Sequence, residues 1–113
     1  MNTSLPEDLS RLRDMLEFAR RVEQLVTGIS RAEFDGSENL QTTVIHNLQI
    51  IGEAATKVSA TFKAEHSEIA WTQITTMRHR IVHDYRRINL ARVWHTATER
   101  IPHLITTLTH LLS

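Results

Sequence analysis

Apolar residues recur at steps of three and four positions along almost the whole chain, which is the period of an amphipathic α-helix. The first stripe follows Ser4, where the segment SLPE offers an N-cap and a glutamate three residues later. The apolar residues of this stripe are Leu9, Leu12, Leu16, Ala19, Val22 and Val26. The pattern predicts a first helix from Ser4 to about Gly28.

A short connector and a long helix should come next. Ser30 with Glu33 forms a second capping pattern, which Asp35 and Gly36 end within about a turn and a half. The long helix is predicted from about Glu38 to Lys63. Its apolar face consists of Leu40, Val44, Leu48, Ile51, Ala55, Val58 and Phe62.

Gly52 lies inside this predicted long helix. A glycine there costs about 1 kcal/mol relative to alanine, so we expect another backbone to pack closely against it. A further helix is predicted from about Ala70 to His83, with Trp71, Ile74, Met77 and Ile81 on its apolar face. The last helix should start at Asn89 and be kinked or restarted by Pro102.

These elements predict an all-α fold, an up-and-down bundle of four to five helices that forms one domain over residues 1–113. Trp71 and Trp94 stand at core spacing and are interpreted as packing residues. The C-terminal segment IPHLITTLTHLL is more apolar than one small bundle would bury, which favours a homodimer.

Composition narrows the class of protein. With 41% hydrophobic and 23% charged residues, the chain has the composition of an ordinary globular domain. The absence of cysteine excludes disulfides and thiolate zinc sites. The N-terminus lacks a signal-peptide layout, and no apolar run approaches the roughly 18 residues of a membrane span. We therefore expect a cytoplasmic protein without membrane contact.

The formal net charge is zero, but the segment RHRIVHDYRR at 78–87 concentrates basic residues. Five arginines and one acid, Asp84, give residues 78–92 a charge of +4 and leave −4 for the rest of the chain. Cations also gather at helix C-termini to satisfy the helix dipole, so this segment alone does not establish a site.

Arg78 and His83 carry the chemistry of metal-free RNA cleavage. Histidine can remove the proton of a 2′-hydroxyl near neutral pH, and arginine stabilises a pentavalent phosphate. Five residues apart, the two point about 140° away from each other on a continuous helix. A shared site therefore requires either a loosened helix before His83 or a two-fold partner that also supplies the acid.

A metal site is the weaker alternative. His79 and His83 have the spacing of a two-histidine pair, but no third ligand is evident and adjacent arginines would repel a cation. His95, Glu99 and His103 also repeat at four-residue steps, where a solvated or interface face is the simpler interpretation. We therefore expect neither metal nor cofactor. There is also no phosphate-binding glycine loop, so we do not expect this chain itself to hydrolyse or transfer nucleotides.

The residues resemble a known family over nearly the whole chain. Arg78, His83 and Tyr85 match the R-x4-H-x-Y signature of HEPN-domain ribonucleases, and the surrounding sequence is similar to the HepT toxins. The similar segments are VIHNLQIIGEAATKVS at 44–59, IAWTQITTMRHRIVHDY at 69–85 and INLARVWHTATERIP at 88–102.

The resemblance implies a dimeric toxin that cleaves RNA without a metal, with Arg78 and His83 of both protomers in one cleft. Its usual partner is a minimal nucleotidyltransferase antitoxin (MntA), which transfers AMP to the motif tyrosine, here Tyr85. The positions implied to support the site are Asn47, Glu53 and His79, and the arginines expected to bind RNA or appended phosphates are Arg80, Arg86 and Arg87.

Two positions depart from the pattern of the family. His79 replaces a common asparagine, and Asp84 stands where glycine is frequent. Because Asp84 places a negative charge beside the expected RNA groove, a catalytically silent HEPN module that docks a nucleotidyltransferase or binds nucleic acid is the alternative function. A purely structural helical dimer is a third possibility, but it would leave the clustered arginines unexplained.

Overall fold

The computed structural model of the protein describes residues 5–83 and 88–113, and of residues 79–83 the backbone alone. Its α-helices are α1 (Leu5–Val26), α2 (Arg31–Asp35), α3 (Glu38–Thr56), α4 (Ala60–Glu65), α5 (Trp71–His83), α6 (Leu90–His95) and α7 (Ile101–Leu112), with a π-helical turn at Thr96–Arg100 between α6 and α7. No strand occurs in these residues. The predicted all-α class is confirmed.

The connector agrees with the sequence pattern, and so does the described part of the first helix; its predicted start at Ser4 lies outside the described residues. α1 is followed by Gly28, whose φ of 81° lies in the left-handed region that glycine adopts without strain. In α2 the Ser30 hydroxyl accepts from the Glu33 N–H, and the Ser30 N–H donates to the Glu33 carboxylate, both at 3.0 Å. Phe34 of this connector is fully buried and packs 5.2 Å from the Trp94 ring. The connector is therefore anchored to the bundle.

The prediction of one helix from Glu38 to Lys63 is wrong. α3 ends at Thr56, and α4 begins at Ala60 with Ser59 as its N-cap. The buried carboxylate of Asp8 accepts hydrogen bonds from the Ser59 N–H at 2.8 Å and from the Ser59 hydroxyl at 2.7 Å. This contact from α1 holds Ser59 outside the helical conformation, although the apolar period continues through Val58 and Phe62.

Pro102 restarts the last helix, as its missing N–H and rigid ring led us to expect. The π-helical turn comes before it, and the Ile101 N–H closes this turn by donating to the Thr96 carbonyl. The segment begins as predicted, since the Asn89 side chain caps α6 by accepting from the Arg92 N–H at 3.1 Å. The extra residue of the π-helical turn changes the rotational phase of the helix between α6 and α7.

The long helices pack in the order α5, α3, α1, α7, since α1 lies against both α3 and α7 while α5 lies against α3. Their buried residues form one core, which includes Leu12, Met15, Ala19 and Val22 of α1, Val44, Leu48, Ile51 and Ala55 of α3, and Ile101, Leu104 and Leu108 of α7. Trp71 is buried and Trp94 packs against the core, as their spacing predicted. In the part of the chain described, no helix has the length and apolarity to cross a bilayer.

Candidate active site

The candidate site is built on the contact between α3 and α5. Gly52 is buried where α5 passes, and a Cβ added at Gly52 would overlap the Arg78 Cβ. The same added atom would lie 2.9 Å from the Arg78 Cγ and 3.5 Å from its Cα. The expected close approach at Gly52 is confirmed, and the segment that approaches is the one that carries Arg78.

From this contact the Arg78 side chain reaches towards the surface beside the next residue of α3. Its Nη2 lies 3.9 Å from the Glu53 Oε2, and the Arg78 side chain is 34% exposed. The other carboxylate oxygen of Glu53 lies 3.7 Å from the Lys57 Nζ. These ion pairs are long and solvated, worth about 0–1 kcal/mol each, so they orient the guanidinium without holding it away from an anionic ligand.

Lys57 is a member of this charge cluster that the sequence analysis did not single out. It stands one helical turn after Glu53, and its side chain is half exposed. The i, i+4 spacing of an acid and a base on one helix was the available signal. The cluster thus contains two cations around one carboxylate and has an excess of positive charge.

Asn47 is placed differently from Glu53. It is buried, and its Nδ2 donates to the Thr43 carbonyl of the same helix at 2.8 Å. Six residues separate it from Glu53, which corresponds to about 9 Å along the axis of α3. The hydrogen bond that the structure gives to Asn47 is therefore local to α3, whereas Glu53 lies next to Arg78.

The other predicted site residues fall on the segment that follows. The side chains of His79, Arg80 and His83, and the whole of Tyr85, Arg86 and Arg87, lie outside the described residues. The backbone of α5 is helical through His83. Positions 78 and 83 are therefore about 140° apart around one helix, and the loosened helix considered as one route to a shared site does not occur.

Beside the α3 contact, α5 also borders a cleft of about 1100 Å³ that lies between it and α6 and α7. Core residues of α3, Leu48 and Ile51, contribute to its lining, and polar residues also line it: Gln73, Arg92, His95, Glu99, Arg100 and His103. The Arg100 Nη1 donates to the Gln73 Oε1 at 2.8 Å, which joins the two sides of the cleft. No group of three metal-ligating side chains is present in the described part of the chain.

The loop before α5 adds one perturbed carboxyl at the edge of this cleft. The pKa of Glu68 is lowered, first because a backbone N–H of Glu68 itself donates to the carboxylate, and further because of the adjacent His66. The His66 Nδ1 lies 3.2 Å from the Glu68 Oε1, and its ring stacks on Phe62 at 4.2 Å. This exposed pair lies in the loop that leads into α5.

Comparison with known proteins gives matches that span nearly the whole chain. A family model described as "Ribonuclease HepT-like" matches residues 15–111. A protein of Thermococcus cleftensis named "Probable ribonuclease HepT" is 33% identical over 93 residues, which cover 82% of this chain and 84% of that protein.

Two other relatives are described as RNases. The one from Caldanaerobacter subterraneus subsp. tengcongensis is 31% identical over 93 residues, covering 82% of this chain and 83% of that protein. One from Methanocaldococcus jannaschii is 26% identical over 93 residues, covering 82% and 77%. No solved structure matches the chain.

Proposed function

Because the chain belongs to the HepT-like ribonuclease family, we propose that Arg78 and His83 are the catalytic residues of a metal-independent endoribonuclease. The placement of Arg78 carries the proposal. Its backbone is fixed against α3 at Gly52, while its guanidinium is one-third exposed and near enough to Glu53 to be oriented. An arginine held in this way can bind a phosphate with several of its donors at once.

In the proposed reaction, neutral His83 removes the proton from the 2′-hydroxyl of a nucleotide. The 2′-oxygen then attacks the adjacent phosphorus, and Arg78 stabilises the negative charge of the pentavalent intermediate. A second, protonated His83 donates to the departing 5′-oxygen. The products are a 2′,3′-cyclic phosphate and a 5′-hydroxyl end.

Two copies of His83 require a two-fold dimer, which is part of the proposal. The helical backbone of α5 supports it, because positions 78 and 83 of one protomer lie about 140° apart around the helix. A groove between two α5 helices would collect the arginine of one protomer and the histidine of the other. His79, Asn47 and Glu53 are proposed to support this site, and Arg80, Arg86 and Arg87 to bind RNA phosphates.

The test is RNA cleavage by purified variants under single-turnover conditions. Loss of the general base at His83→Ala should lower the rate about 100- to 10,000-fold, and Arg78→Ala about 100- to 1,000-fold. Arg13→Ala is the matched control, since it removes an exposed arginine from α1, a helix without proposed site residues. Undiminished cleavage by folded His83→Ala would refute the mechanism, and a monomer mass by light scattering in an active sample would refute the dimer.

We further propose that the ribonuclease is the toxin of a toxin–antitoxin pair and is silenced by a nucleotidyltransferase that attaches AMP to Tyr85. Support comes from the resemblance of the Arg78–Tyr85 motif to the HepT toxins, and from the four neighbouring arginines, which would bind the added phosphate. Expression alone should slow growth. After co-expression with the partner enzyme, intact-mass measurement should show AMP on the wild type and none on Tyr85→Phe; equal addition to both would exclude Tyr85 as the switch.

A further inference from the structure

We propose that Gly52 is a positioning residue for the ribonuclease reaction, because its missing side chain sets the location of Arg78. This inference rests on the proposed catalytic role of Arg78. Gly52 lies inside α3, four residues before its end, where glycine is unfavourable, and it is buried. A glycine in this place requires a compensating contact, and the contact that the structure provides is the backbone and first side-chain atoms of Arg78.

The atoms involved leave no local way to accommodate a methyl group. An added Cβ would overlap the Arg78 Cβ, which moves only when the backbone of α5 moves. Rotation of the long arginine side chain does not change the position of that atom. Restoring an ordinary contact therefore requires α5 to withdraw from α3 by roughly 1 Å, the scale on which misplacement of a reacting group costs about 100-fold in rate.

α5 has space for this movement. The helix borders the cleft of about 1100 Å³, which Gln73, Ile74 and Met77 of α5 line together with Leu48 and Ile51 of α3. We therefore expect Gly52→Ala to fold, with α5 displaced towards the cleft. The displacement carries the guanidinium of Arg78 away from Glu53, which remains on α3.

A purely structural role for Gly52 predicts a different result, and a double-mutant experiment separates the two. Alanine at position 78 keeps the Cβ and loses only the Cγ, so Gly52→Ala creates the main overlap in the Arg78→Ala background as in the wild type. The change in thermal stability should therefore be similar in both backgrounds. The maximal single-turnover rate constant should fall about 100-fold in the wild type, with the enzyme concentration at half-maximal rate unchanged, and less than about 3-fold in Arg78→Ala.

The assay is single-turnover cleavage of a fluorogenic RNA with enzyme in excess, which measures the low residual rate of Arg78→Ala. Gly36→Ala is the matched control, since Gly36 is exposed and lies at the end of α2, and its activity should stay within about 2-fold of the wild type. If Arg78→Ala retains the wild-type rate, the proposed catalytic role of Arg78, and with it the proposed function, is refuted. Three results would overturn the positioning role of Gly52 when Arg78→Ala is impaired. Folded Gly52→Ala could be fully active, or Gly52→Ala could fail to fold. The third is a double mutant whose loss of rate equals the product of the losses in the two single mutants.

Discussion

Asp8→Ala should lower the free energy of unfolding by about 3 kcal/mol, although the position lies in the first turns of α1 and far from the candidate site in sequence. The Asp8 carboxylate is 3% exposed and accepts hydrogen bonds from the Ser59 N–H and hydroxyl at 2.8 and 2.7 Å. Hydrogen bonds to a charged group are worth about 1.5–3 kcal/mol each, and alanine would leave the Ser59 N–H without its acceptor.

A loss of about 3 kcal/mol is large against the 5–15 kcal/mol of a typical domain. It corresponds to a decrease of about 12 °C in Tm, at about 4 °C per kcal/mol for a domain of this size. Urea unfolding followed by circular dichroism measures the free energy directly. Asp8→Asn should recover part of the loss, because its amide oxygen can still accept one hydrogen bond.

Glu17→Ala is the matched control for Asp8→Ala. It removes another carboxylate from α1, but one that is 59% exposed and pairs with Arg21 at 3.7 Å. Such a surface pair contributes less than about 1 kcal/mol. If Asp8→Ala were no more destabilising than Glu17→Ala, the hydrogen bonds between Asp8 of α1 and Ser59 in the turn after α3 would not stabilise the fold.

Two other predictions concern the connector and the loop before α5. Phe34→Ala should destabilise the protein by about 3–5 kcal/mol in urea unfolding, because Phe34 is fully buried against Trp94; an effect below 1 kcal/mol would contradict the anchoring of α2. Because the pKa of Glu68 is lowered in the folded protein, its contribution to stability is present above its unfolded pKa and is lost as the pH falls through its folded pKa. Unfolding of Glu68→Gln should therefore depend less on pH in the acidic range than unfolding of the wild type, and parallel curves would exclude this contribution.

Apart from Lys57, the members of the candidate site were predicted from the sequence through local signals. The R-x4-H-x-Y spacing and the glutamate after Gly52 are contained in two short segments, and a mid-helix glycine by itself indicates a close neighbour. The identity of that neighbour is not local information. Only the packing of α5 against α3 shows that Arg78 is the residue at Gly52, and that Lys57 shares the carboxylate of Glu53.

The sequence by itself determined the helical class, the approximate end of α1, both approximate ends of α5, the start of α6, and the restart at Pro102. Each of these depends on interactions within a few residues: the 3.6-residue period, caps such as Ser30 and Asn89, and the missing N–H of proline. The tertiary structure alone decided where α3 ends, since the carboxylate that breaks the predicted helix comes from Asp8, 51 residues before Ser59. It also decided the cleft beside α5, because a space between helices depends on how they pack and not on the pattern within any one of them.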